Sequence, residues 1–148
     1  MTTTQGSTFV QYGVRLIGLV DLAFGVIGFL PIEAINPVHP EGVGAHYLFN
    51  LVAINPLHNI VHLAVGVSGL WAASVLARSQ LWGKIAGVVL LSLFVVGMAQ
   101  AALEGFPKDQ LLLGWVPLNS PGHILHLFTG GMALYLGWPR TSAPSGMP

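Results

Sequence analysis

The sequence predicts an all-α membrane protein, a four-helix transmembrane bundle, and three observations predict it. Apolar residues make up 53% of the 148 residues, charged residues only 7%, and the mean hydropathy is +0.73. Soluble domains carry about a quarter of their residues as charges, and the five basic and five acidic side chains here cannot coat a water-facing surface of this size. The apolar residues fall into four runs of bilayer-crossing length, roughly 20 residues each. Four acidic residues, Glu33, Glu41, Glu104 and Asp109, lie outside those runs, where they solvate the rim.

The first span is Phe9–Leu30. Met1 to Ser7 lack the Lys or Arg of a signal-peptide n-region, so this run reads as a retained helix. The second span, Leu57–Ala77, follows Asn55-Pro56, and the fourth, Pro121–Trp138, follows Ser120. Asn or Ser caps free helix N–H groups, and Pro tolerates the first helical position, so both helices begin alike. The third span is Trp82–Leu103. The Thr-rich residues 1–8 and the Pro/Ser-rich residues 139–148 read as disordered tails.

Lys and Arg accumulate on the cytoplasmic side of membrane proteins. Arg15, Arg78, Lys84 and Arg140 share one side and Lys108 lies on the other, which places both termini in the cytoplasm. The connections 31–56 and 104–120 then face outward. They are rich in apolar residues, as Tyr47-Leu48-Phe49 and Leu111-Leu112-Leu113-Gly114-Trp115 show. Such residues anchor a chain at the headgroups or dock it against another membrane subunit.

An internal repeat relates the halves. Asn55…Ile60-Val61-His62-Leu63…Gly66 matches Asn119…Ile124-Leu125-His126-Leu127…Gly130 at constant offset, and Gly28-Phe29 is paired more weakly with Gly105-Phe106. Two helix-hairpin repeats starting on the same side would be parallel, about an axis along the membrane normal. Small residues at close-packing spacing, Gly83…Gly87, Gly97…Ala101 and Gly66…Gly69, suit tight helix contacts in lipid.

The run Asn55-Pro-Leu-His58-Asn59-Ile-Val-His62-Leu63-Ala-Val-Gly66, preceded by Gly28-Phe29-Leu30-Pro31, resembles the bacterial four-span membrane family catalogued as domain of unknown function 4383. His58, Asn59, His62 and Gly66 match its second-span signature, and the resemblance covers most of residues 9–138. It implies the four-span fold and supplies no reaction; the location expected of the chain is a bacterial inner or photosynthetic membrane. The connection 31–56 departs from the family's shortest versions by carrying His39 and His46.

His58 and His62 are four residues apart and His123 and His126 three, so each pair shares a helix face. By helical rise His62 and His126 sit roughly 8–10 Å below their helix starts, where Gln100 reaches the same depth and Asp21 lies about 5 Å deeper. A carboxylate in hydrocarbon needs a partner, and His62 or His126 suits Asp21 better than Arg15 does. Three readings of these residues stand together. They hydrogen-bond across helices, with Asn59 in support; or His58, His62, His123 and His126 hold a chlorophyll or noncovalent haem; or Asp21, Gln100 and Asn59 join them in a proton path. Two His at helical spacing supply only part of a closed zinc shell.

The balanced charge excludes a basic nucleic-acid surface. The absence of Cys excludes disulfides, iron–sulfur clusters, covalent c-type haem and a Cys nucleophile. No metalloprotease motif, phosphate loop or dinucleotide fingerprint occurs. The function expected is that of an accessory or scaffolding subunit in a lipid bilayer, bound to other membrane-protein subunits of a photosynthetic or respiratory complex. The alternatives are a small proton-coupled transporter and a His-ligated haem redox protein.

Overall fold

The computed structural model describes residues 5–30, 40–105 and 109–138, with side chains from Phe9 onward. The described residues form four helices and two short hairpins: α1 (Gln5–Ile27), β1 (His46–Leu48), β2 (Val52–Ile54), α2 (Pro56–Ala72), α3 (Leu76–Glu104), β3 (Gln110–Leu112), β4 (Val116–Leu118) and α4 (Ser120–Gly137). The chain is therefore mostly helical rather than all-α. Two helices, α1 over Phe9–Ile27 and α3 over Leu76–Glu104, are long and apolar enough to cross a membrane, which suggests a lipid environment.

Cap chemistry sets two helix starts. Asn55 is extended, and its carboxamide oxygen accepts from the His58 backbone N–H at 2.8 Å, with Pro56 as the first helical residue. Asn119 does the same for Gly122 at 3.2 Å. The capping residue of α4 is thus Asn119 and not Ser120, which opens the helix itself.

The turn between α2 and α3 lies earlier than the hydropathy implied. Residues 73–75 form it, so Leu76 and Ala77, assigned to span two, and Arg78 to Leu81, assigned to the connection, all belong to α3. Ser79 Oγ donates to Ala72 O at 3.0 Å and Gln11 Nε2 donates to Ala73 O at 3.1 Å, tying the turn to α1. Helix α1 begins at Gln5, inside the segment expected to be disordered. The rest of both expected tails, His39, Lys108 and Arg140 lie outside the described residues.

Helix α1 packs along α2 and α3 along α4, with glycines at the crossings. A Cβ on Gly66 would fall 2.5 Å from the Leu22 nitrogen, and one on Gly87 would fall 2.6 Å from the Leu134 nitrogen. The small-residue faces are therefore consumed inside the chain, where they let backbones touch. At the turn end, Val10, Val14, Ile17, Ala72, Ala73, Ala133 and Leu136 form a core contributed by α1, α2, α4 and the turn.

The hairpins were invisible to periodicity because three-residue strands show no alternation. His46 pairs with Ile54 and Leu48 with Val52; Gln110 pairs with Leu118 and Leu112 with Val116. Their turns place Phe49 and Asn50 at φ 53 and 56, and Leu113 and Gly114 at φ 52 and 80. Positive φ at both central positions matches the twist of a tight hairpin. Leu48, Val52 and Ile54 then pack against Phe24 and Ile27 at the end of α1.

The two halves interlock reciprocally. Asn55 Nδ2 donates to Trp115 O at 2.9 Å, and Asn119 Nδ2 donates to Leu51 O at 2.9 Å. Each cap residue thereby also grips the opposite hairpin, as in a two-fold contact. The glycine pairing follows the same relation: Gly28 lies against Asn59, and Gly97 against His123. Gly97, not Gly105, is therefore the counterpart of Gly28.

Candidate functional site

The Asn55 cap fixes the first turn of α2 and aims His58 and Asn59 into the bundle, where both are buried. One helical turn on, His62 points the same way. From α1, Asp21 reaches it although the carboxylate is only 5% exposed. His62 Nδ1 lies 2.8 Å from Asp21 Oδ1, and His62 Nε2 lies 3.2 Å from His58 Nε2. Arg15 stacks on Tyr12 at 5.8 Å.

One tautomer assignment satisfies this line with neutral imidazoles. A carboxylate only accepts, so His62 carries its proton on Nδ1 and donates to Asp21. His62 Nε2 then accepts, so His58 carries its proton on Nε2 and donates to His62. The two rings stack at 4.8 Å, and His126 from α4 meets His58 edge-on at 6.2 Å. His126 thus approaches His62 through His58.

His123 forms a separate buried contact. Gln110 Nε2 donates to Gly97 O at 2.8 Å and to His123 Nε2 at 3.1 Å, while Phe94 meets the ring edge-on. Gln110 was not among the residues singled out in the sequence. It lies in β3, and only the hairpin carries it inward. Gln100 goes elsewhere: its Nε2 donates to Glu104 Oε1 and Leu111 O, each at 2.8 Å, which braces the end of α3. The depth comparison had fixed its level but not its azimuth.

Several buried polar atoms have no partner among the described residues: Asp21 Oδ2, Asn59 Oδ1, Gln110 Oε1, His123 Nδ1 and His126 Nδ1.

Residues 11–139 match the family described as Domain of unknown function (DUF4383). The chain belongs to that family. No curated protein and no solved structure matches it. In this member the Asn-x-x-His-Asn-x-x-His run supplies the Asn55 cap, both stacked imidazoles and the buried Asn59 in a single stretch. His46 lies apart from the buried line, with Nδ1 3.4 Å from Gly44 O.

A tetrapyrrole bridging His62 and His126 does not fit these contacts. Both His62 ring nitrogens already face protein atoms, and His58 stands between the two residues. Among the described residues no three His, Cys, Asp or Glu are grouped to hold a metal ion. Outside the helices, Tyr47 OH donates to Asp109 Oδ2. Burial raises the Asp109 carboxyl above its ordinary range, and the Glu41 charge adds to the shift.

Proposed function

We propose that the chain is a four-span membrane protein whose working site is the Asp21–His62–His58 line, a proton-exchanging relay in the bundle interior. The observation that carries this reading is a 5%-exposed carboxylate bonded in series with two imidazoles. An ionisable group at such depth is costly unless paired and marks a functional site by default.

The inside-out distribution of polarity supports the membrane part. Leu16 and Leu19 on α1, Ile60 and Val67 on α2, Val88 and Val95 on α3, and Phe128 and Met132 on α4 face outward, whereas Asp21, His58, Asn59, His123 and His126 are buried. Helices α2 and α4 are about 26 Å long, near the roughly 30 Å of a hydrocarbon core.

A proton entering at His58 Nδ1 lets His58 pass its Nε2 proton to His62 Nε2, and His62 in turn passes its Nδ1 proton to Asp21 Oδ1. Asp21 then donates to His62 Nδ1, His62 Nε2 donates to His58 Nε2, and His58 keeps the new proton at Nδ1. The line gains one proton and goes from net negative to neutral, with no unpaired charge left in low dielectric.

Reconstitution into liposomes with an entrapped pH dye tests the relay. Asp21→Asn should abolish proton exchange while the thermal midpoint moves little, because the amide keeps the shape. Exchange at the native rate in Asp21→Asn overturns the reading.

A second reading, an accessory subunit of a larger complex, rests on the apolar tips Phe49, Leu51, Leu113 and Trp115, which remain exposed. Native electrophoresis after mild extraction tests it, with a lone chain as the contrary result.

A further inference from the structure

The outer face of α2 carries an open, shallow groove of about 690 Å³ lined by Ile60, Leu63, Ala64, Val67, Ser68 and Trp71. The one polar lining side chain is already engaged: Ser68 Oγ donates to Val65 O and accepts from Trp82 Nε1, each at 3.0 Å. The interior of the groove therefore offers only hydrocarbon contact. From Ile60 to Trp71 it runs about 16 Å along the helix, close to half of a roughly 30 Å hydrocarbon core. That is the depth of one leaflet.

The end of the groove is charged. Arg78, on the first turns of α3, lies over the exposed Trp71 ring at 4.7 Å from its centroid. Stacking occupies the face of the guanidinium and leaves its N–H edge free for bidentate contact with phosphate. Trp and Arg together mark the headgroup level.

We propose that this groove binds one anionic phospholipid, its phosphate on Arg78 against Trp71 and an acyl chain along Val67, Ala64 and Ile60. The occupant is a lipid because an apolar trough of leaflet depth ends in a cation on an interfacial aromatic. The inference rests on the membrane reading proposed above and is independent of the proton relay.

Native mass spectrometry of the full chain from nanodiscs of mixed phosphatidylglycerol and phosphatidylcholine, matched in acyl chains, tests it. Phosphatidylglycerol should be retained preferentially. Arg78→Gln should weaken retention roughly fivefold, the worth of one basic contact to an anionic lipid. Val67→Trp, on an exposed position, should also reduce it by filling the trough, whereas Lys84→Gln should not. Equal retention of the two lipids, an unchanged Arg78→Gln, or occupation of the groove by a second copy instead of lipid overturns the proposal. Alkaline carbonate extraction of the same membranes tests the membrane reading separately. A chain that stays in the membrane yet shows no lipid preference counts against the lipid site alone.

Discussion

Asp21 depends on one imidazole, which gives the residues of the buried line unequal weights. Replacing His62 by Ala removes the only described hydrogen-bond partner of the carboxylate, at a cost of roughly 1–3 kcal/mol. His126 makes an edge contact and no described hydrogen bond, so His126→Ala should cost less; thermal unfolding in detergent ranks the two. A larger loss for His126 would mean that Asp21 is stabilised otherwise. Asp109 predicts a pH effect of definite sign. Its folded pKa is raised above the ordinary 3.8 by burial and by Glu41, so the folded state binds that proton more tightly than the unfolded chain does. The contribution is full below pH 3.8 and disappears as pH rises through the folded value. Subtracting the midpoint-versus-pH curve of Asp109→Asn from that of the native chain should isolate this decline, and a difference rising with pH would contradict it. That Asp21 meets a histidine was legible because a carboxylate in an apolar run needs a partner and few exist; that it is His62 and not His126 came from the packing of α1 on α2. Gln110 was not, since nothing in a loop sequence reveals a strand that carries its side chain inward.

At the scale of elements, helix approach and hairpin geometry each predict a substitution and its contrast. Gly66→Ala must push α1 from α2, because the new methyl meets Leu22 backbone at 2.5 Å; overpacking of this kind costs about 1–3 kcal/mol. Gly131 lies on an exposed stretch of α4 with nothing within 4 Å of a Cβ, so Gly131→Ala should stabilise by up to about 1 kcal/mol through helix propensity. Opposite shifts in unfolding midpoint check both at once. In the β3–β4 turn Leu113 holds a positive φ of 52° with its side chain exposed. Leu113→Asn creates Asn-Gly, the preferred pair for such a turn, and should gain about 1 kcal/mol. A fall in midpoint instead would show that Leu113 packs against a partner or the headgroups. The glycine spacings were readable in the sequence. Whether they faced a neighbouring helix or another subunit was not, because spacing fixes a face and not what covers it.

Across the whole molecule, the reciprocal bonds of Asn55 and Asn119 put both hairpins at one end and the 73–75 turn at the other. If all four helices span, the hairpins share one aqueous compartment. Single Cys residues introduced at 50, 114 and 74 can be labelled cleanly because the native chain has none. Impermeant reagent on intact cells should reach 50 and 114 and leave 74 unmodified. Labelling of 50 and 74 together would remove the four-span arrangement.

The sequence by itself determined the helical character, the family, the similarity of the two halves and the pairing of a buried acid with a histidine. Each follows from local quantities: hydropathy, a short motif, a constant offset, the cost of a lone charge in an apolar run. Only the tertiary structure decided which glycines touch which backbone, that Asn119 rather than Ser120 caps α4, that the connections fold into hairpins, and that His58 stands between His62 and His126. Those outcomes depend on azimuth and on contacts between residues about sixty apart in the chain, such as Asn55 with Trp115. A periodicity fixes a face, but only packing of the halves fixes what that face meets.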